Sequence, residues 1–255
     1  MATIKQKQFK LIKSIKQFFK KAGKKKAVLG LSGGIDSSLC AYLISKAIGK
    51  KNLTVILMPE IGITSKSNIA DAKLVARKLG IKSYIVPINN FIKQYKTCSW
   101  LQSKIAKANL RARIRATILY NFANSNNAIV VGTGNKTELY LGYFTKYGDA
   151  AVDVLILADL WKKEVRQIAE LVGVPYHIIW KIPTAELWKG QTDEGEIGMT
   201  YDVADEILHL LIDKKFNPKQ IQAKGYPKTL IGKITRIIDS TSHKRQSPPI
   251  LKVSG

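Results

Sequence analysis

The chain has 255 residues, 45% of them hydrophobic and 24% charged, enough for one large domain or two small ones with a sizeable core. No apolar run approaches the roughly 18 residues of a membrane-crossing helix, and Cys40 and Cys98 stand far apart with no Cys-x-x-Cys partner, which argues against a disulfide framework and a zinc site. Both cysteines read as small core residues in a reducing cytoplasm. Lysine and arginine outnumber acids 42 to 18, a net charge of +24 that would attract nucleic acid, an anionic membrane or a polyanionic small substrate.

Residues 1–26 hold many of these lysines and no acid. Ile4, Leu11, Ile12, Ile15, Phe18 and Phe19 share one helical face with lysines opposite, so the segment reads as a basic amphipathic helix. It resembles a transit peptide or an interfacial helix, but it leads almost directly into a strand and is expected to dock on its own domain. The predicted elements then alternate. Ala27–Leu31 is a short apolar strand, and the helix after it, from Asp36, closes at Gly49. Asn52–Pro59 is a second strand, and Ser65–Gly80 a helix with a serine cap and a glycine stop. Ile81–Ile88 is a third strand, residues 103–125 a long helix, and Ala128–Gly134 a fourth strand delivered into glycines. This alternation predicts an α/β fold: a doubly wound parallel sheet with helices on both faces and ligands at the strands' carboxyl ends.

The second half is less regular. Leu160–Gly173 is a helix, Pro183–Thr200 has no period and reads as a long surface loop, and Tyr201–Asp213 and Pro227–Ser240 are helical, so the C-terminal part is mostly helical. A loop of that length is expected to act as a lid.

Chemistry concentrates in "SGGIDSS", Ser32 to Ser38. Strand, glycine turn and helix start aim backbone N–H groups at one point, a site for an anion. There is no Walker lysine and no G-x-G-x-x-G. Asp36 would repel phosphates unless a cation lies between them, and magnesium bridging carboxylate and pyrophosphate oxygens resolves the conflict. Glu138, predicted at the same sheet edge, is the second carboxylate.

Taken together, "SGGIDSS", "GTGNKTE", "YFTKYGD", "PTAELWKGQTDE", "MTYDVAD" and "HKR" resemble, in this order, the ammonia-dependent NAD synthetases, members of the N-type ATP pyrophosphatases. The resemblance covers Ala27 to Pro248 and implies an adenine nucleotide alpha hydrolase-like fold and a single synthetase domain over 1–255. It also implies a reaction. ATP adenylates the carboxylate of deamido-NAD, pyrophosphate leaves, and ammonia displaces AMP to give NAD.

By the same resemblance, Gly30, Leu31, Ser32, Gly33, Gly34, Ile35, Asp36, Ser37, Thr133, Lys162 and Thr184 contact ATP. Asp36 and Glu138 hold Mg2+. Arg113, Lys146, Asp153, His243 and Lys244 contact deamido-NAD by the same match. Phe144 is read as an aromatic that stacks on the nicotinate ring, and Asp149, four residues before Asp153 and three after Lys146, as the candidate base that takes the ammonium proton. Without the family, Lys162 would be an ordinary surface lysine, and Arg113, between Arg111 and Arg115, part of a solvated helix face.

The resemblance further implies a cytoplasmic homodimer joined near Asn109–Ala123, with no dedicated nucleic-acid or membrane partner. Ammonia rather than glutamine is the expected nitrogen source, since neither cysteine lies outside the synthetase signature. The alternative enzyme is a tRNA-modifying adenylating enzyme, which would share the SGG loop and account for the charge; no RNA-binding motif supports it.

Overall fold

In the computed structural model, which describes residues 3–188 and 190–253, β1 (Lys26–Gly30) lies at the middle of a five-stranded sheet. Before it runs α1 (Ile4–Lys21), capped by Thr3. The Ile15 and Phe19 side chains of α1 are buried in the main core, with Ile4, Leu11, Ile12 and Phe18 packed against them. The amphipathic segment is thus a docked helix, seated on α2 (Ile35–Ile48) and α7 (Lys162–Val172).

From β1 the chain passes through α2 to β2 (Leu53–Leu57), through α3 (Lys66–Leu79) to β3 (Lys82–Ile85), and through α4 (Asn89–Gln94) and α5 (Lys104–Asn126) to β4 (Ala128–Asn135). After α6 (Lys136–Leu141) comes β5 (Val154–Leu157). All pairings are parallel and the order is β3-β2-β1-β4-β5. The connections run outward from β1 to β3 and then return to its other side, which opens a crevice between the carboxyl ends of β1 and β4.

Alternation along β1 explains its burial on two faces. Ala27 and Leu29 join the core under α1, α2, α3 and α7, whereas Val28 joins a second core with Ile114, Leu119 and Val130 beneath α5. A Cβ on Gly132 would meet Leu155 and Val152 at 2.7 Å, so only glycine fits where β4 and β5 pack.

A third apolar cluster forms outside the sheet, in the C-terminal part of the chain. It is built from α6, α9 (Asp193–Ile197), α10 (Tyr201–Leu208) and α12 (Lys228–Ser240), introduced by the short α8 (Tyr176–Ile179) and joined by α11 (Pro218–Gln222).

Several expectations need correction. The third strand shortens to Lys82–Ile85 and is exposed throughout, because it is an edge with β2 as its one neighbour. Cys40 is core, but Cys98 is only half-buried. Residues 209–213 form a π-helical turn rather than extending the preceding helix regularly. Pro183–Thr200 is not simply a surface loop: it contains α9, and Gln191, Asp193 and Ile197 are buried.

Candidate active site

The SGG turn leaves β1 through Leu31, whose N–H donates to the Ile56 carbonyl at 3.0 Å. Gly33 has φ +87°, and a Cβ there would lie 2.2 Å from the Asn68 carbonyl oxygen, so the turn closes against α3 only with glycine. Ser32 and Ser37 hydroxyls lie 3.0 Å apart and brace the turn internally. Gly34 caps α2 without any side-chain hydrogen bond, which leaves the first N–H groups of a 14-residue helix directed at the cleft.

The second half of the site is the end of β4. Asn135 caps α6, its Oδ1 accepting from Glu138 N at 3.0 Å, while its Nδ2 donates to Asp36 Oδ1 at 2.9 Å. One buried amide therefore ties together the two strand ends that the crevice separates. Between the carboxylates sits Lys162, the first residue of α7, its Nζ 2.6 Å from Asp36 Oδ2 and 3.4 Å from Glu138 Oε1. Asp205 of α10 fixes that helix start by accepting from Lys163 N at 2.8 Å and from the Thr137 hydroxyl. Burial alone would lower the Lys162 pKa, but Asp36 and Glu138 outweigh it and hold the ammonium charged. Burial and the Asp36 charge push Glu138 up to about 8, with Lys162 opposing the rise.

Asp36 and Glu138 form a pair and not a cage. Among the described residues no group of three or more His, Cys, Asp or Glu could hold a metal by itself. Two hard carboxylate oxygens at the mouth of an anion-binding turn suit magnesium, which characteristically takes one or two carboxylates and completes its shell with water and substrate phosphate.

A cleft of ≈ 550 Å³ runs away from this point. It is lined by Gly30, Leu31, Ser32, Gly34, Ile35, Asp36, Ser37, Thr133, Glu138, Phe144, Asp149, Lys162, Thr184 and Lys244. Gly33, packed against the Asn68 backbone, is not part of that lining. Asp149 keeps part of its surface accessible and accepts from Thr145 N at 2.8 Å; the protein packed around its carboxyl raises its pKa. Lys244 donates to the carbonyls of Gly142 at 2.7 Å and Phe144 at 3.0 Å, with its Nζ 5.5 Å from the Phe144 ring centre.

The remaining expected residues lie outside the cleft. Arg113 donates to the Lys146 carbonyl at 3.3 Å, and Lys146 Nζ to the His243 carbonyl at 2.7 Å, an exposed chain of basic groups. Asp153 accepts from Val130 N at 2.8 Å and from the Tyr120 hydroxyl at 3.1 Å, and so braces β4.

Sequence reasoning missed the wiring of the 183–197 segment. Asp193 accepts from Ala185 N at 3.1 Å, Tyr143 Oη at 3.0 Å and Tyr201 Oη at 3.2 Å, while Tyr143 also lies 2.7 Å from Glu196. Burial raises Asp193, with Lys162 and both tyrosines pulling the other way. The acids of "QTDEGE" and the tyrosine of "YFTKYGD" were the available signals. Arg115 was also missed: with Arg111 it turns inward, so the arginine run is not one solvated face.

A family model described as NAD synthase matches residues 8–248. The chain belongs to the NAD synthase family. Among its relatives, the NH(3)-dependent NAD(+) synthetase of Archaeoglobus fulgidus is 43% identical over 238 residues, covering 91% of this chain and 90% of that protein. The protein of the same description from Fusobacterium nucleatum is 40% identical over 243 residues, covering 95% and 94%.

Among solved structures, NMN synthetase from Francisella tularensis aligns with a TM-score of 0.87 at 32% identity, covering 98% of this chain and 99% of that one. The NH3-dependent NAD synthetase of Campylobacter jejuni, in complex with nitrate, aligns with a TM-score of 0.83 at 28% identity, covering 99% and 100%. The NAD synthase fold thus accounts for the parallel sheet and the helical C-terminal part together.

Proposed function

We infer that this chain is an ammonia-dependent NAD synthetase: it amidates deamido-NAD with ammonia at the expense of ATP, giving NAD, AMP and pyrophosphate. The observation that carries the reading is the meeting of Asp36, Glu138 and Lys162 beside an uncapped helix start in a family member. A carboxylate is a poor acyl donor because its leaving group would be oxide, and adenylation supplies a better one. Anion attack on phosphate needs positive charge to offset repulsion.

The SGG turn N–H groups and the α2 N-terminus are assigned to the leaving pyrophosphate. Lys162 is assigned to the phosphates, which it could approach once a cation takes its place between the carboxylates. Asp36 and Glu138 would hold Mg2+, which supplies charge neutralisation at the phosphates. Thr133 and Thr184 line the ATP side, and Phe144 offers an aromatic face to the nicotinate ring. Asp149 is assigned as acceptor of the ammonium proton; its raised pKa makes it a stronger base than an ordinary carboxylate.

Arg113, Lys146, Asp153, His243 and Lys244 are assigned to the dinucleotide. Since all but Lys244 lie outside the cleft of one chain, they fit a site completed by a second copy. Exposed Tyr84, Ile85, Phe91, Trp100, Leu101 and Ile105, clustered in sequence around β3, α4 and the start of α5, support a homodimer on that side. We read residues 1–255 as one synthetase unit, acting in the cytoplasm, where the free thiols Cys40 and Cys98 would stay reduced.

The likeness to NMN synthetase favours one second reading, amidation of the acid mononucleotide that corresponds to NMN. Incubation with ATP-Mg, ammonium and either deamido-NAD or that mononucleotide, following AMP and the amide product, tests both. NAD formation at the higher kcat/KM is the expected result. AMP formation with neither acid overturns the functional reading.

A further inference from the structure

Three arginines of α5 meet different surroundings. Arg111 commits its fork to Glu60, with Nη2 2.9 Å from Oε1 and Nε on the other oxygen. Arg113 is exposed and leans on the Lys146 carbonyl. Arg115, one turn beyond Arg111, donates Nε to the Met58 carbonyl at 3.1 Å and lines the cleft. Among the described residues, its two Nη groups meet no acceptor and no carboxylate forms an ion pair with it.

The acids whose charge reaches Arg115 are already engaged. Glu60 is held by Arg111, Asp149 accepts from Thr145 N at 2.8 Å, and Glu186 accepts from Ser65 N at 3.1 Å. Burial pulls the guanidinium below its usual value. A desolvated cation with unused donors is costly, and a ligand bringing two anionic oxygens would offset that cost. The phosphate end of the cleft already has the SGG turn and Lys162. Arg115 instead lies within reach of the Asp149 charge, and both line the cleft.

We propose that Arg115 recognises the carboxylate of the acid substrate, its free Nη edge binding the planar oxygen pair inside the cleft, and so sets the preference for acid over amide. The proposal rests on the functional reading above and adds a specificity-determining residue to it. A guanidinium fork matches a carboxylate in charge and plane. The product carboxamide has no charge and turns N–H donors toward the guanidinium, so the same contact that holds the substrate favours release of the product.

Calorimetry on the full chain with deamido-NAD, NAD and ATP separately tests this. Arg115→Gln should weaken deamido-NAD binding about 10- to 100-fold and leave NAD and ATP binding unchanged. Arg115→Lys, which keeps the charge and loses the fork, should fall between, and it supplies the same ratio if the glutamine variant does not fold. Equal losses for acid and amide, or weaker ATP binding with the acid preference intact, overturn the proposal. An unsubstituted enzyme that fails to amidate deamido-NAD overturns the functional reading instead; an active one whose Arg115→Gln variant keeps its acid preference overturns this assignment alone.

Discussion

Lys162 and Asp36 meet with ammonium and carboxylate 2.6 Å apart at a point where the lysine is 1% exposed. The contact neutralises one of two adjacent acids, so Lys162→Met should cost about 2–3 kcal/mol by leaving partly buried carboxylates uncompensated. AMP formation should disappear with it. Adding Glu138→Gln should recover part of the melting temperature without restoring activity. A double variant no more stable than the single one would show that the cost has another source.

Asp36→Asn and Glu138→Gln taken singly should abolish AMP formation while the chain stays folded, since each amide keeps an acceptor oxygen for Lys162. Titration with Mg2+ should stabilise the unsubstituted protein against heat and have little effect on either variant. Wild-type turnover by either variant would remove the metal assignment.

Asp149→Asn preserves the oxygen that accepts from Thr145 N and removes the basic site. Ammonium KM should rise strongly, while pyrophosphate exchange into ATP continues, because adenylation comes before the step Asp149 serves. Parallel loss of exchange and NAD formation would assign Asp149 to anchoring its loop.

Tyr143→Phe removes the hydroxyl shared by Asp193 and Glu196. Proteolysis within 183–197 should quicken in the free enzyme, and ATP-Mg with deamido-NAD should slow it again. Unchanged cleavage in the free variant would mean that the tyrosine does not hold the segment down.

Asp213 supplies the pH dependence. Burial alone would raise its carboxyl, but hydrogen bonds from Lys136 at 2.8 Å, His209 at 2.7 Å and Trp161 at 2.9 Å hold it at about 2. A depressed carboxylate stabilises the fold above its unfolded pKa of 3.8 and loses that contribution as pH falls through about 2. Asp213→Asn should therefore cost about 1 kcal/mol at pH 7 after solvent screening, and the gap should close in that acid range. Denaturant melts at both ends of the range provide the check.

Much of the architecture was legible because it is local. Ser65 does cap α3, and Gly80 and Gly173 end their helices with positive φ. Val154–Leu157 escaped notice, since four apolar residues do not distinguish strand from helix without knowing that β4 waits beside them. Asp36 and Glu138 could be picked as a pair from their places at strand ends. Lys162 could not be told from Lys163 in its burial, because that depends on the phase of α7 and on an acid 126 residues away. Arg115 was hidden in the same way, its direction fixed by how α5 lies on the sheet.

The distances along the chain that separate these partners have a consequence for synthesis. Asn135 reaches Asp36 across 99 residues, and Lys162 across 126. Closing loops of that length adds entropy cost and delays contact formation during folding. A growing polypeptide that has just released the SGG turn possesses the loop's amino acids but neither the second acid nor the ammonium that belongs between them. The cluster of two acids and one ammonium therefore has all its members only once the chain extends past Lys162.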